Sequence, residues 1–266
     1  QVDDSGISRV NGQKVLTGRV EKMSKSKYNG VDPEEIMAKY GVDSARLFVL
    51  FAAPPENDLV WKDEGVDGVH RFLTRVWNMV EQRQDSLRAA IPYHGDGSDL
   101  GGDAKALRRL VHQTVRDVTA DVNDRFHFNT AIARCMELMN EISRFRAKEG
   151  NDAAVQKEAV AALVNLLSPF APHICEELWR TIGEPGSVSL APWPAWDDRA
   201  AADDTVTIAI QVSGKMRGTI DVPAGCPAQE IERLALSHEN IQRHIEGKTV
   251  RKVIVVPGKL VNIVAG

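Results

Sequence analysis

A helical hydrophobic pattern begins near Glu64, continues to Gly183 and limits the possible folds of the chain more than any other part of the sequence. In its first segment, apolar residues recur at the spacing that places them on one face of an α-helix. They are Val66, Val69, Phe72, Leu73, Val76, Trp77 and Val80. Further helical patterns follow at 107–122, 129–148, 153–167 and 172–182. Because short loops join such helices in antiparallel order, the pattern predicts an antiparallel helical bundle over residues 63–183.

The regions on either side of this bundle have different patterns. Residues 1–62 combine short strand-like runs around the turn Asn11-Gly12 with two short helices that begin after Asp32 and Asp43, which we expect to cap them. Residues 184–204 are rich in Pro and Asp and predict an extended acidic linker. Residues 205–266 show strand patterns on both sides of a helical segment, which predicts a ββαββ module. The predicted fold class is therefore mostly α with a small α+β domain.

Composition and charge narrow the class of protein. The chain has 43% hydrophobic and 26% charged residues, as soluble globular proteins do, and its apolar runs are too short to cross a bilayer. We therefore expect a cytoplasmic protein with no membrane partner. The net charge is −4, yet residues 205–266 carry eight Lys or Arg against five Asp or Glu residues. This basic region on an acidic chain is consistent with local binding of nucleic acid.

The sharpest local motif is Lys22-Met23-Ser24-Lys25-Ser26, which Lys27 follows. It lies in a predicted loop between a strand and the helix that Asp32 begins. Ammonium groups, hydroxyls and backbone N–H donors in one loop suit a polyphosphate whose charge shifts during a reaction. Taken alone, however, a lysine-rich segment is more often a solvated surface loop.

The motif Lys22 to Ser26 resembles the second signature of the class I aminoacyl-tRNA synthetases, and other blocks are similar to the bacterial leucyl-tRNA synthetases. These blocks are Val20–Glu21, Lys27–Pro33, Ala45–Phe48, Arg71–Leu73 with Arg75–Trp77, Phe170–Trp179, Ala191–Pro194 and Val255–Asn262. Several blocks in one order are more specific than a single pentapeptide. The resemblance implies a C-terminal portion of such an enzyme: a signature loop with a stem-contact-like region (1–62), an anticodon-binding-type bundle (63–183), a linker (184–204) and a tRNA-binding domain (205–266).

The resemblance also implies an activity, the ATP-dependent attachment of leucine to leucine tRNA by a leucine–tRNA ligase. Lys25, with Lys22 in support, is then the expected catalytic residue, and Met23, Ser24 and Ser26 complete the ATP-binding loop. Mg²⁺ would accompany ATP, but no metal site within the chain is expected. The chain contains no His-x-Gly-His-type first signature, leucine pocket or editing domain. We therefore expect the chain to be inactive alone and to depend on the N-terminal catalytic and editing portion of the same enzyme. We also expect it to be monomeric.

Several basic residues are candidates for contact with tRNA, although each one alone could be solvated surface charge. They are Lys215, Arg217, Arg251, Lys252 and Lys259 in the last region and Arg71 and Arg75 in the first bundle helix. Lys215 and Arg217, two residues apart, are expected on the same side of a strand. Arg71 and Arg75 could equally pair with Asp67 or Glu64 on their own helix.

Two alternatives to the enzyme remain open from the sequence. The first is a stand-alone tRNA- or RNA-binding module without catalysis, and the second is a structural assembly subunit. The intact Lys22–Ser26 motif favours the enzyme, because a pure binding module has no use for it. The basic region 205–266 argues against a purely structural subunit.

Overall fold

The computed structural model describes residues 21–148, 150–202, 205–256 and 258–266. The chain divides into two compact units, one up to Asp197 and one from Asp198 to Gly266. In the described residues the first unit is helical, and the second contains a four-stranded sheet. The chain is therefore mostly α with a small α+β part, as predicted. The strands and turn predicted around Asn11-Gly12 lie outside the described residues.

The described part of the first unit consists of helices and two short 3₁₀ turns, at Lys25–Lys27 and Val188–Leu190. The helices are α1 (Pro33–Tyr40), α2 (Val42–Ala52), α3 (Asp63–Glu81), α4 (Gln84–Ala89), α5 (Gly102–Asn123), α6 (Phe128–Arg144), α7 (Asp152–Leu167) and α8 (Pro172–Thr181). Helix α3 and helices α5 to α8 lie where the hydrophobic pattern predicts helices. Helix α4 is too short to show a period, and the pattern did not predict it.

Helix α7 lies at the centre of the bundle, where α4, α5, α6 and α8 pack around it. Buried residues occur on all of its sides, since the consecutive residues Leu163, Val164, Asn165 and Leu166, which point in different directions around the helix, are all buried. Helix α7 therefore lacks the polar face that a surface helix has. Its buried residues include the polar Gln156, Lys157 and Asn165, and buried polar groups need hydrogen-bond partners.

Residues 184–197, the first part of the predicted linker, lie against the bundle. The buried ammonium group of Lys157 forms an ion pair with Glu184, with Nζ and Oε1 3.0 Å apart. The side-chain amide of Asn165 donates a hydrogen bond to the carbonyl oxygen of Pro192 at 2.9 Å. This segment is packed rather than free because it provides the partners that the buried polar groups of α7 require.

The first two helices begin and end at polar or glycine residues. Asp32 caps α1 as predicted, since its carboxylate accepts a hydrogen bond from the backbone N of Glu34 at 2.9 Å. Gly41 ends α1 with a φ of +82°. The prediction that Asp43 caps α2 is wrong. Helix α2 begins at Val42, so Asp43 lies inside its first turn, and its carboxylate is directed to another helix.

The second unit contains α9 (Asp198–Ala201), β1 (Thr205–Val212), β2 (Lys215–Pro223), α10 (Ala228–Ser237), α11 (Glu239–Ile245), β3 (Val250–Val256) and β4 (Leu260–Ala265). The strand order is β2-β1-β4-β3. The central strands β1 and β4 are parallel, and both outer pairs are antiparallel. Buried residues of α10 and α11, such as Ile231 and Ile241, form a core with Ile210 and Ile263 of the central strands.

Candidate functional site

The loop that contains the lysine-rich motif closes on itself through its own hydrogen bonds. Residues Lys25–Lys27 form a single 3₁₀ turn, in which the backbone N of Lys27 donates to the carbonyl oxygen of Ser24 at 3.2 Å. The side chain of Asn29 accepts a hydrogen bond from the backbone N of Ser24 at 2.8 Å. It also donates one to the carbonyl oxygen of Lys22 at 3.3 Å. One amide side chain therefore joins two points of the motif.

The three lysines of this loop have different partners. Lys27 forms an ion pair with Glu21. Lys22 and Lys25 are exposed, and neither has an ion-pair partner among the residues that the structure describes. A free ammonium group can bind an anion without first breaking an existing ion pair. Lys22 and Lys25 are therefore the two lysines of the loop that can bind an anion without exchanging an ion-pair partner within the described residues.

The remaining residues of the motif are also accessible. The hydroxyl oxygens of Ser24 and Ser26 lie 3.3 Å apart, within hydrogen-bond distance. The side chain of Met23 is exposed. Tyr28 adopts a φ of +51°, a left-handed conformation that turns the chain back after the motif. All five predicted ATP-binding residues therefore share one loop, whose surface includes hydroxyl and ammonium groups.

Four of the five basic residues predicted in the second unit lie at or near one end of its sheet. The parallel strands β1 and β4 both end there. Strands β2 and β3 begin there, because each is antiparallel to its central neighbour. Lys215 and Arg217 lie on β2, and Arg251 and Lys252 lie on β3, the two outer strands. Three strand spacings place Lys215 and Lys252 roughly 15 Å apart. Lys259 lies at the opposite end, in the turn before β4.

Both arginines in this group lie at irregularities of the strand pairing. Met216 and Gly218 pair with consecutive residues of β1, which leaves Arg217 between them without a partner. In the same way, Arg251 lies between two residues of β3 that oppose consecutive residues of β4. An extra residue of this kind interrupts the alternation of side chains between the two faces. The expectation that Lys215 and Arg217 lie on one side assumed an uninterrupted strand, which β2 is not.

The two predicted arginines of α3 differ in their surroundings. Arg71 lies one helical turn from Asp67, with Nε and Oδ2 3.4 Å apart, so the pairing left open by the sequence is present. Arg75 is exposed and has no ion-pair partner in the described part of the chain. Arg75 is therefore the more available of the two cations on this helix.

Sequence reasoning missed the contact that joins α2 to the start of α8. One carboxylate oxygen of Asp43 lies 2.8 Å from Nδ1 of His173, and the other accepts a hydrogen bond from the backbone N of Ile174 at 2.7 Å. Nearby, Arg46 donates to the carbonyl oxygen of Pro169 at 3.2 Å. The only signal in the sequence was the presence of charged residues within two apolar blocks, and it did not indicate that the blocks meet.

A cleft of about 450 Å³ lies beside this contact, between α2, α3 and α8. Its lining is mainly apolar and includes the ring of Trp77. The imidazole Nδ1 of His70 lies 3.1 Å from the carbonyl oxygen of Tyr40 and 3.2 Å from the hydroxyl of Ser44. None of the residues predicted for ATP or tRNA binding lines this cleft.

Two of the three cysteines lie in the core of the first unit. Cys135 and Cys175 are buried, and burial raises the pKa of the Cys135 thiol to about 12 and that of Cys175 well above its usual value. Such thiols stay protonated at neutral pH. Within the described ranges, no group of three or more His, Cys, Asp or Glu side chains is arranged to hold a metal ion. No helix in the same ranges is long and apolar enough to span a bilayer.

Comparisons with known proteins identify relatives along the whole chain. A family model described as tRNA synthetases class I (I, L, M and V) matches residues 13–62, and one described as the anticodon-binding domain of tRNA ligase matches residues 104–232. The chain is 49% identical over 270 residues to the leucine–tRNA ligase of Chromohalobacter salexigens, which covers 100% of this chain and 31% of the relative. It is 47% identical to the leucine–tRNA ligase of Desulfatibacillum aliphaticivorans, in an alignment that covers 99% of this chain and 31% of that relative.

A solved structure also matches the fold. It is the crystal structure of a ternary complex of Agrobacterium radiobacter LeuRS with tRNA and LeuAMS, with a TM-score of 0.81 and 30% sequence identity. The match covers 92% of this chain and 31% of that chain. The chain thus spans about a third of the length of the curated relatives it matches. It belongs to the leucine–tRNA ligase family of class I tRNA synthetases and corresponds to a C-terminal part of its members.

Proposed function

We propose that this chain supplies the ATP-phosphate-binding loop and tRNA-binding surfaces of a leucine–tRNA ligase. The complete enzyme would attach leucine to leucine tRNA in an ATP-dependent reaction, with the N-terminal catalytic and editing portion as the partner of this chain. The observation that carries the proposal is the loop geometry: Lys22 and Lys25 are exposed without an ion-pair partner in the described residues, in a loop closed by Asn29. Membership of the family supports it.

Lys25 and Lys22 are proposed to act through their charge. In the first step, a carboxylate oxygen of leucine attacks the α-phosphorus of ATP, and the bond to pyrophosphate breaks. Negative charge then accumulates on the leaving pyrophosphate, where ammonium and hydroxyl donors stabilise it. Mg²⁺ is proposed to accompany ATP at this site. Ser24 and Ser26 are the hydroxyl donors in this proposal, and Met23 lies between Lys22 and Ser24.

The basic residues of the second unit are proposed to contact tRNA. A-form RNA is recognised largely through its phosphates and 2′-hydroxyls, so separated cations on a rigid sheet are suitable partners. Lys215, Arg217, Arg251 and Lys252 would form one contact region, and Lys259 a separate one at the opposite end of the sheet. The exposure of both lysines on the outer strands supports this assignment.

The first bundle helix provides a second proposed contact with tRNA. Arg75 is exposed and has no ion-pair partner in the described residues, so its guanidinium group is accessible to a phosphate. Arg71 would have to exchange its partner Asp67 for a phosphate. Because that exchange replaces one ion pair by another, we expect Arg71 to contribute less than Arg75.

The proposal for the loop is tested by Lys25→Ala in the full-length enzyme. Leucine-dependent ATP–pyrophosphate exchange should slow about 100-fold, as for removal of one well-placed donor in other enzymes. Affinity for tRNA should change little. Lys62→Ala is the control, since Lys62 is exposed, lies outside the loop and has no ion-pair partner in the described ranges. Wild-type exchange by Lys25→Ala would contradict the proposed role of the loop and leave tRNA binding as the proposed contribution of this chain.

A further inference from the structure

Among the described residues, no core packs around the signature loop, residues 21–29. All of its residues are exposed except Ser24, which is partly buried. The loop is instead held by hydrogen bonds within itself, and the side chain of Asn29 forms two of them. Its Oδ1 accepts from the backbone N of Ser24 at 2.8 Å, and its Nδ2 donates to the carbonyl oxygen of Lys22 at 3.3 Å.

The chemistry of the amide explains why asparagine suits this position. An asparagine side chain offers a carbonyl acceptor and an NH₂ donor at once, and the loop uses both. A carboxylate could accept from Ser24 but could not donate to Lys22, and it would add negative charge beside a phosphate site. The left-handed conformation of Tyr28, with a φ of +51°, turns the chain so that Asn29 reaches back across the motif.

The ion pair of Lys27 with Glu21 closes the loop at a second point. Together, the two closures connect the ends of the loop while Lys22 and Lys25 keep no ion-pair partner in the described residues. An open loop of this length would sample many backbone conformations, and each productive binding event would have to order it again. A loop that is closed before the substrate binds avoids that cost.

We propose that Asn29 is a positioning residue of the signature loop. Its side chain fixes the backbone at Lys22 and Ser24, so that the ammonium groups of Lys22 and Lys25 reach the phosphates of ATP together. Asn29 acts through these lysines and does not itself touch the substrate. This inference deepens the proposed function and rests on it.

The test uses Asn29→Ala in the full-length enzyme, with Asn57→Ala as the matched control. Asn57 is exposed, and its side chain forms no hydrogen bond among the described residues. We expect Asn29→Ala to lower the kcat of pyrophosphate exchange by about tenfold or more, because a misplacement of 1 Å can cost about 100-fold. The KM for leucine should change little, because the loop is proposed to bind the phosphates of ATP and not leucine. The melting temperature should also change little, because Asn29 is exposed in the described structure. Asn57→Ala should retain wild-type rates.

A double variant separates positioning from an unrelated effect. If Asn29 acts through Lys22 and Lys25, Asn29→Ala should slow the variant Lys25→Ala by a smaller factor than it slows the wild-type enzyme. Trypsin should also cleave after Lys22 and Lys25 faster in Asn29→Ala than in the wild-type enzyme. Independent, multiplicative losses in the double variant, or unchanged cleavage, would overturn the inference.

The same set of variants distinguishes this inference from the proposed function. If Lys25→Ala retains wild-type exchange, the proposed role of the loop fails, whatever Asn29→Ala does. If Lys25→Ala is slow and Asn29→Ala is not, the inference about Asn29 alone fails.

Discussion

The carboxylate of Asp43 caps helix α8 from 131 residues away in sequence, accepting a hydrogen bond from the backbone N of Ile174 at 2.7 Å. Its other oxygen lies 2.8 Å from Nδ1 of His173. The first N–H groups of any helix lack partners within that helix. The residue before α8, Ala171, has no side chain that can accept a hydrogen bond. Asp43 therefore supplies from α2 the acceptor that the local sequence of α8 lacks.

We expect Asp43→Ala to lower the free energy of unfolding of the first unit by about 2 kcal/mol, because it removes a helix cap at a buried site. His173→Ala should cost less than about 1 kcal/mol, since the His173 side chain is 70% exposed. Urea unfolding followed by circular dichroism measures both values. Asp58→Ala, at an exposed carboxylate, is the control. Equal losses for Asp43→Ala and His173→Ala would contradict this account.

The buried ion pair between Lys157 and Glu184 should be strongly coupled. The side chain of Lys157 is 3% exposed, so Glu184→Gln leaves a buried ammonium group without a counter-charge, at a cost of about 3 kcal/mol. Adding Lys157→Met removes that charge and should recover part of the stability. A double-mutant cycle in guanidinium unfolding measures the coupling. Strictly additive losses would show that the segment 184–197 is held by other contacts.

The three cysteines should differ in reactivity with a thiol reagent. Burial raises the pKa of Cys135 from 9.0 to about 12 and that of Cys175 well above its usual value. At pH 8 only Cys226, which is partly exposed, should be labelled in the folded protein. Cys135 and Cys175 should react after denaturation, and Cys226→Ser should remove the fast labelling. Mass spectrometry measures the labelling of each cysteine. Labelling of Cys135 as fast as that of Cys226 would contradict the burial of Cys135.

The same raised pKa values give a direction for the effect of pH on stability. A thiol whose pKa is raised by folding favours the folded state fully below the pKa of the unfolded chain, 9.0. That contribution is lost as the pH rises from this value towards about 12. We expect Cys135→Ala to reduce the loss of stability over this range relative to wild type. Identical pH profiles above pH 9 would contradict the prediction.

The proposed tRNA contact of the second unit predicts a change in salt dependence. Lys215→Ala combined with Lys252→Ala in the full-length enzyme should weaken tRNA binding and reduce the slope of log K against log salt by about 2, one per lost phosphate contact. Arg233→Ala is the control, because Arg233 is paired with Glu230 on α10. Filter binding at several salt concentrations gives the slopes. An unchanged slope would place the tRNA contact elsewhere.

Sequence reasoning predicted much of the fold because its signals are local. The apolar face of α3 follows from a spacing of three and four residues, and Asp32 identified the start of α1. The pattern could not predict that α7 lies at the centre, since the burial of Lys157 depends on its partner Glu184 in a distant segment. The packed position of residues 184–197 was not predicted for the same reason. Their Pro and Asp content indicated an extended linker instead.

For the candidate site, the family resemblance and the residue types of the signature loop follow from the sequence alone, because a motif is a property of consecutive residues. The three-dimensional contacts show which lysines of the loop have no ion-pair partner in the described residues and that Asn29 closes the loop. They also show that Asp43 caps α8 rather than α2. These features depend on distances and angles between groups that the fold brings together, and no local pattern of residue types encodes such geometry.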